Sequence, residues 1–440
     1  MSIPSEVEID KINTIPEEYK PTIYKINVSD KKIYDVSPSL SSGIDLPKLS
    51  LGFQQYLHAN IVKMEIIKEF EKKKKVYSTM RLFNTYIDDH DTGIRDVTKK
   101  YFKLSDKDII LGNGFYKMWE ILMMFDITKS DTLNSIHILD DGSLAQSVLL
   151  FRDNFSKNSQ KDKSFILTPT KSINDVFEKT YNKQLTILQC NENLTQNDIS
   201  KVIKNAPKKV DLVTAYGSPK WKYNILLEQE LFELLIGEIV CALSVLSDGG
   251  HFICRFFETY TVTSCKLIYV LSTLFEEVYL FKPLTSHVST SEKFLVCKKF
   301  SSKPKVLDNL NKLFKTINDL NEEGKTKQKK NSKLNITNIF PEVVFPVDYQ
   351  VMLTCMNTDI SNKQIININK IVSFINSQNY FGESYTDERS NQINASTYWI
   401  NLYYPNKTEQ SKVTKSIKNI IEVVLNKNNT NIEQMKKVLI

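Results

Sequence analysis

The chain has 440 residues, 41% hydrophobic and 25% charged, which is typical of a globular protein with two or three domains. It has no run of about 18 apolar residues, so we expect no membrane span, and its start lacks the features of a secretory signal. The formal net charge of +7 permits a polyanionic partner such as RNA without requiring one. Six scattered cysteines and five dispersed histidines predict reduced thiols, a cytoplasmic location and no zinc site.

Residues 1–94 are predicted to form an N-terminal extension. Five prolines within residues 1–50 argue against long helices there, so we predict an irregular arm laid over another surface. Apolar side chains then recur every three or four residues between Leu57 and Phe70, which is typical of a helix within residues 52–85. The four lysines at 72–75 are interpreted as a solvated helix end, with phosphate binding as the alternative.

A helix is predicted near residues 113–125. One face of it is apolar and carries Phe115, Met118, Ile121, Leu122 and Phe125. Lys117 lies off that face, and its periodicity alone favours a lysine on the surface of the helix.

The first strand of a sheet is predicted at residues 135–139, followed directly by Asp140, Asp141, Gly142 and Ser143. A ligand-binding turn belongs at the carboxyl end of such a strand, where glycine lets the backbone approach the ligand. This turn contains one glycine, so its signal is weak, and Ser143 would also serve as a helix N-cap.

Two further strand-helix units are predicted between residues 164 and 205. The strand at 185–190 is followed by Asn191. The amide oxygen of Asn191 suits a hydrogen bond to a ligand, and an ordinary turn residue is the alternative.

The strongest pattern lies between residues 211 and 300. A buried strand, a long apolar helix, a Gly-Gly turn, a second buried strand, a helix and a hairpin follow one another, at 211–215, 227–246, 249–250, 252–256, 262–275 and 277–297. Short apolar runs bounded by turn signals suit strands that are covered on both faces. This order predicts the second half of a doubly wound α/β sheet.

The same order of elements resembles the FtsJ-like ribose 2′-O-methyltransferases, as do the segments FKPLTSH at 281–287 and YKMWEI at 116–121. The resemblance implies a three-layer, Rossmann-like methyltransferase fold over residues 95–300, with a mostly parallel sheet and a terminal antiparallel hairpin. It is strongest to divergent members from large cytoplasmic DNA viruses, which implies a host cytoplasm or a virion. Residues 301–440 are predicted to be a mostly helical extension, and the basic stretch at 325–333 a solvated loop, with RNA contact as the alternative.

The family uses a Lys-Asp-Lys-Glu set to methylate a ribose hydroxyl. Carried over by the resemblance, the four catalytic positions hold Lys117, Tyr216, Arg255 and Glu292. Arginine stays protonated and cannot accept the hydroxyl proton, and tyrosine is neutral near pH 7, so it cannot replace the negative charge of the aspartate. Arg255 is then either a phosphate or carboxylate ligand or one half of a structural salt bridge with Glu292.

The resemblance also implies S-adenosyl-L-methionine as cofactor, capped mRNA as substrate and no metal. Its cofactor-binding positions fall on Asp140, Asp141, Gly142, Ser143, Asn191 and Ala215. Two functional hypotheses follow: an RNA 2′-O-methyltransferase of mRNA capping, or a catalytically inactive subunit with a structural or stimulatory role in a viral-type capping or transcription assembly. The residues at 216 and 255 favour loss or weakening of catalysis.

Overall fold

The structure is a computed structural model. It describes residues 12, 14–27, 39–41, 51–70, 81–85, 93–104, 109–218, 226–326, 335–378, 382–404 and 410–439. The lysine run at 72–75 and most of the basic stretch at 325–333 lie outside the described residues, so both interpretations stay predictions.

The described residues form one large sheet and one small ribbon. The strands are β1 (Thr22–Ile26), β2 (Ser39–Ser41), β3 (Asn134–Ile138), β4 (Lys163–Thr168), β5 (Leu185–Gln189), β6 (Leu212–Ala215), β7 (His251–Phe256), β8 (Phe275–Lys282), β9 (Lys293–Phe300) and β10 (Asn335–Asn338). Eight of them make the sheet, in the order β1-β8-β9-β7-β6-β3-β4-β5, and β2 pairs with β10.

Helices cover both faces of the sheet. They are α1 (Leu51–Val62), α2 (Ile94–Tyr101), α3 (Gly114–Phe125), α4 (Ser143–Phe155), α5 (Asp175–Thr180), α6 (Gln196–Asn205), α7 (Leu227–Val245), α8 (Val262–Ser272), α9 (Pro304–Thr326), α10 (Val347–Ser377), α11 (Glu383–Tyr403) and α12 (Gln410–Leu439). One buried apolar cluster joins the sheet to α6 through α10. The other joins it to α3, α4, α11 and α12. The architecture therefore has three layers.

The sheet confirms the predicted α/β fold. Strands β3 to β7 are parallel neighbours, and β8 and β9 form the antiparallel hairpin at the end of the parallel set. The chain runs outward from β3 through β4 to β5, then returns to the other side of β3 and continues through β6 to β7. Ligands bind at such a switch point, outside the carboxyl ends of the strands.

The N-terminal segment differs from the prediction. Residues 22–26 are not irregular, because β1 pairs antiparallel with β8 and its Ile23 lies opposite Phe281. This β-branched and aromatic strand covers the β8 edge of the sheet, which would otherwise present unpaired backbone groups. The helix predicted within 52–85 is α1 followed by a 3-10 helix at Lys63–Phe70, and residues 81–85 are not helical.

The C-terminal extension is helical, as predicted, and its helices pack against the sheet domain. Trp119 of α3 donates its indole N–H to the backbone oxygen of Tyr403 at the end of α11, at 2.8 Å. The domain limits proposed at 94/95 and 300/301 stay predictions. None of the described helices is long and apolar enough to cross a membrane.

Candidate active site

The start of α3 packs tightly against the turn after β3. A Cβ on Gly114 would lie 2.2 Å from the hydroxyl oxygen of Ser143 and 3.1 Å from the ring of Tyr216, so this position needs glycine. Because of this close approach, Lys117, one turn further along α3, lies in the interior and is only 7% exposed. The interpretation of Lys117 as a lysine on the helix surface is therefore wrong.

Strand geometry brings the other three positions to the same edge of the sheet. Tyr216 is the first residue after β6, and Arg255 is near the carboxyl end of its parallel neighbour β7. Strand β9 runs antiparallel to β7 with Arg255 opposite Phe294, so Glu292, which precedes β9, lies beside Arg255. The sheet thus collects residues that are far apart in the sequence.

The side chains of Lys117, Tyr216, Arg255 and Glu292, the tetrad, are in mutual contact. The Lys117 ammonium lies 2.9 and 2.7 Å from the two carboxylate oxygens of Glu292 and 3.3 Å from the Tyr216 hydroxyl. Arg255 Nε lies 2.8 Å from Glu292 Oε1, an ion pair whose angle falls short of a hydrogen bond. One carboxylate therefore holds two cations, and Arg255 does form the salt bridge that was one of its two predicted roles.

Burial and charge set the protonation of the tetrad. Burial acts to raise the pKa of Glu292, but the cations of Lys117 and Arg255 outweigh it and hold that pKa well below its usual range. Burial, and then the Glu292 charge, raise the pKa of Tyr216. Burial lowers the pKa of Lys117, while the Glu292 charge acts in the opposite direction. Glu292 is thus ionised and Tyr216 neutral at pH 7.

Each of the four side chains is engaged by its neighbours. The Lys117 nitrogen lies within donor distance of both carboxylate oxygens of Glu292 and of the Tyr216 hydroxyl. A guanidinium has only donors and no acceptor, and the raised pKa of Tyr216 keeps its proton in place at pH 7. The carboxylate of Glu292 is taken up by the two cations and by the hydroxyl of Ser286, at 2.6 Å.

Other residues that hold Glu292 in place were missed from the sequence. The fully buried Glu120, one turn after Lys117 on α3, accepts hydrogen bonds from the backbone N–H groups of Leu284 and Thr285, at 2.7 and 2.9 Å. It also accepts the indole N–H of Trp399 from α11, at 3.0 Å. A carboxyl group on the mostly apolar helix α3 was the signal, because a buried polar group needs hydrogen-bond partners.

A buried lysine also holds the loop between β8 and β9, which carries Glu292. The ammonium of Lys282 donates to the backbone oxygens of His287, Thr290 and Glu292, at 3.2, 2.7 and 2.9 Å. Burial lowers the pKa of Lys282 to about 7. The loop that presents Glu292 is therefore fixed by hydrogen bonds to Glu120 of α3 and to Lys282 at the end of β8.

The predicted cofactor turn follows β3 as expected. Gly142 has a φ of +93°, which favours glycine, and a Cβ there would lie 2.5 Å from Ile173. The buried Asp140 accepts the backbone N–H groups of Leu144 and Ala145 at the start of α4, at 3.2 and 3.0 Å. Burial, together with the neighbouring Asp141, raises the pKa of Asp140 to about 7.

A cavity of about 500 Å³ opens beside this turn, and we call it the switch-point pocket. Its walls come from the carboxyl ends of β3, β4, β5 and β6 and from α7, and consist of Leu139, Asp140, Asp141, Thr168, Pro169, Thr170, Glu192, Asn193, Ser218, Glu230, Leu231, Glu233 and Leu234. The volume is in the range of small-molecule sites, about 300–1,000 Å³. The helix α7 was missed as a wall because its apolar pattern indicated only a core helix.

The predicted binding residues divide at this pocket. Asp140 and Asp141 line it, whereas Gly142 and Ser143 shape the turn, and Ala215 is fully buried. Asn191 is not in its lining, and its amide nitrogen donates to Asp198 at 3.0 Å beside the start of α6, so its predicted hydrogen bond to a ligand stays a prediction. The next two residues of that turn reach the pocket instead.

Glu238 connects the switch-point pocket to the tetrad. From α7, its buried carboxyl accepts the backbone N–H of Gly217 at 2.8 Å, and Gly217 joins Tyr216 to Ser218. Burial raises the pKa of Glu238 to about 8, with the Gly217 hydrogen bond acting in the opposite direction. At pH 7 this side chain is therefore mostly a neutral carboxylic acid.

Glu238 is expected to make folding pH-dependent. Because its folded-state pKa is raised, its contribution to stability is fully present below its unfolded pKa of about 4.5 and is lost as pH rises through about 8. The native free energy of unfolding should fall by about 1.4 kcal/mol per pH unit across that window relative to Glu238→Gln. Urea unfolding at several pH values measures this, with the exposed Glu342→Gln as control; equal slopes for all three proteins would contradict it.

Among the described residues, no group of three or more His, Cys, Asp or Glu side chains is arranged to hold a metal ion. All six cysteines are free thiols, four of them buried and the other two partly buried.

Comparison with known proteins agrees with this geometry. Residues 153–300 match the family model described as FtsJ-like methyltransferase. This chain contains an FtsJ-like methyltransferase domain. The matched stretch includes Tyr216, Arg255 and Glu292, whereas Lys117 and the turn at 140–143 precede it.

Curated relatives of the FtsJ-like domain are cap-specific mRNA (nucleoside-2′-O-)-methyltransferases. Methyltransferase 1 of Homo sapiens is 47% identical over 66 residues, which is 15% of this chain and 8% of the relative. The Xenopus laevis protein is 35% identical over 145 residues, 32% of this chain and 16% of the relative. Methyltransferase 2 of Drosophila melanogaster is 34% identical over 116 residues, which is 25% of this chain and 17% of the relative. The chain thus spans less than a fifth of the length of these relatives.

Two solved structures are also similar. One is described as a ribosomal RNA methyltransferase from Plasmodium falciparum: 17% identity, TM-score 0.32, 44% of this chain and 99% of that one. The other is described as a class I S-adenosylmethionine-dependent methyltransferase from Listeria monocytogenes. It is 11% identical with a TM-score of 0.31, and the match covers 57% of this chain and 88% of that one.

Proposed function

We propose that the FtsJ-like domain binds S-adenosylmethionine and a capped RNA but has lost efficient methyl transfer. In this proposal the chain serves as a structural or stimulatory subunit of a viral-type mRNA capping assembly. The observation that carries it is the tetrad, in which Glu292 pairs with both Lys117 and Arg255 beside a neutral Tyr216.

The switch-point pocket supports the cofactor half of the proposal. Its volume suits a nucleoside-sized ligand, and Asp141 and Glu192 in its lining suit a ligand that carries a positive sulfonium and an ammonium group. Asp141, Thr170 and Asn193 are the residues that would hold S-adenosylmethionine. When bound, this cofactor would supply the methyl group from its sulfonium.

The chemistry of methyl transfer supports the catalytic half. A ribose hydroxyl must lose its proton as its oxygen takes the methyl group, and a side chain that accepts this proton typically contributes about 10²–10⁴ in rate. The tetrad holds two cations, a neutral phenol and a carboxylate that is already paired. We therefore expect the proton to have no acceptor among these four residues.

RNA as ligand is supported by the relatives. Their names assign methylation at a nucleoside 2′ oxygen of an mRNA cap, and two of them are 47–50% identical to this chain over 66 residues. A capped RNA is accordingly the ligand we propose for this chain.

An active RNA 2′-O-methyltransferase is the second candidate, favoured by one observation. Burial lowers the pKa of Lys117, which makes its neutral form more accessible than that of an exposed lysine. This candidate requires measurable transfer by the native chain and its loss in Lys117→Ala.

The cofactor half is tested by calorimetric titration with S-adenosylmethionine. We expect the native chain to bind the cofactor with a Kd below about 1 mM, which corresponds to a binding free energy more favourable than about −4 kcal/mol. Thr170→Trp, an exposed position in the pocket wall, should abolish binding because the indole occupies the cavity. Thr180→Trp, exposed on α5 and outside the wall, is the matched control and should bind normally.

No binding at millimolar cofactor by the native chain would contradict the proposal. Equal binding by Thr170→Trp and Thr180→Trp would locate the cofactor elsewhere and contradict the assignment of the switch-point pocket.

A further inference from the structure

The guanidinium of Arg255 is held rigidly between two aromatic rings. Its central carbon lies 4.5 Å from the ring centre of Tyr216 and 4.8 Å from that of Phe257. Its Nε faces Glu292 at 2.8 Å, and its Nη1 donates to the hydroxyl of Ser218 at 3.4 Å. Stacking and pairing together fix the plane of this side chain, so few rotamers are lost when it binds a ligand.

The donors of Arg255 are only partly used. A guanidinium carries five N–H donors. Nε is in ion-pair contact with Glu292 and one Nη1 donor bonds to Ser218, which leaves one donor on Nη1 and two on Nη2 without an acceptor in the described part of the chain. The side chain is 16% exposed, so part of it is accessible, and its partner Ser218 lines the switch-point pocket.

The charge of the tetrad also favours an anion. Lys117 and Arg255 contribute two positive charges, Glu292 one negative charge, and Tyr216 none. The net charge is +1, whereas the Lys-Asp-Lys-Glu set of the family sums to zero. In a partly buried site such a charge acts more strongly than in water.

We propose that Arg255 binds a phosphodiester group of the RNA strand. The position that holds a lysine in the family has become a phosphate ligand, which anchors the strand beside the switch-point pocket. A guanidinium offers parallel N–H groups to two oxygens of one phosphate. The inference rests on the proposed function, because it assumes that RNA enters this cleft. The same donors fit a carboxylate, such as that of S-adenosylmethionine, and the experiment separates the two sources.

The test measures binding of a short, capped, single-stranded RNA by fluorescence anisotropy over a series of salt concentrations. Arg255→Gln should weaken binding about tenfold and flatten the plot of log K against log salt by about 0.7, the value for one phosphate contact to a single strand. Arg255→Lys should keep most of the slope, because it keeps the charge, but lose affinity with the planar fork. Tyr216→Asp should flatten the slope as well, because it neutralises the tetrad.

Lys299→Gln is the control. This exposed lysine lies near the last residue of β9, whereas Glu292 and the tetrad lie beside the first residue of that strand. It should leave both quantities unchanged. Circular dichroism verifies that each variant is folded, and Arg255→Lys and Tyr216→Asp keep the test decisive if Arg255→Gln does not fold.

Three results would overturn the inference: no RNA binding by the native chain, an unchanged slope in folded Arg255→Gln, or weaker binding of S-adenosylmethionine with unchanged RNA binding. The last would assign Arg255 to the cofactor carboxylate. Efficient methyl transfer by the native chain would contradict the proposed function. The salt slope of Arg255→Gln would still test phosphate binding by Arg255, because it does not depend on activity.

Discussion

Replacing Tyr216 by Asp and Arg255 by Lys together is expected to raise methyl transfer to a capped RNA by about 10²–10⁴ over the native chain. The double substitution restores the Lys-Asp-Lys-Glu set at positions that are already in contact. The new aspartate supplies a second carboxylate, so the two lysines no longer depend on Glu292 alone. An amine beside the reacting oxygen then has a pKa that its neighbours and burial can lower toward neutral pH.

The measurement is transfer of a labelled methyl group from S-adenosylmethionine under single-turnover conditions. Each single variant should fall far short of the double variant, because members of a catalytic set act as a unit. Adding Lys117→Ala to the double variant should remove the gain. A double variant that binds cofactor and RNA but remains as slow as the native chain would show that the tetrad residues are not what limits catalysis.

Replacing Glu292 by Gln is expected to lower the free energy of unfolding by about 3–5 kcal/mol. The carboxylate is buried and pairs with Lys117 and Arg255, so its neutral isostere leaves two cations without a counter-charge in the interior. Hydrogen bonding to Ser286 can persist, which confines the loss to charge. Urea unfolding at neutral pH, followed by circular dichroism, gives the free energy directly.

Glu276→Gln is the matched control. Glu276 also pairs with a lysine, Lys299, at 2.9 Å, but both side chains are more than half exposed, so its loss should cost at most about 1 kcal/mol. Similar losses for Glu292→Gln and Glu276→Gln would contradict the picture of a buried, charge-dependent tetrad.

The fold was largely predictable because the pattern between residues 211 and 300 is local. Short apolar runs, a Gly-Gly turn and a hairpin follow each other within ninety residues, and the sheet keeps that order. Strand β1 was missed because its pairing with β8 joins Ile23 to Phe281, a contact that no local periodicity records. The prolines around it argue against long helices, and a strand is consistent with them.

The site was predictable only in part. Periodicity placed Lys117 on the surface, and the resemblance alone gave it a place beside Glu292, where the structure has it at 2.7 Å. The supports of Glu292 escaped because Glu120 and Trp399 are separated by 279 residues and meet through the C-terminal extension. The pocket walls from α7 escaped because its long apolar pattern indicated only a core helix.

The tetrad is proposed to hold no side chain that can accept the proton of the ribose hydroxyl. The direct measurement is single-turnover methyl transfer to a capped RNA by the native chain, with saturating S-adenosylmethionine, between about pH 6 and pH 9. We predict a rate at the background of a protein-free reaction at every pH. A rate that rises with pH through the titration of a single base and is lost in Lys117→Ala would contradict the account.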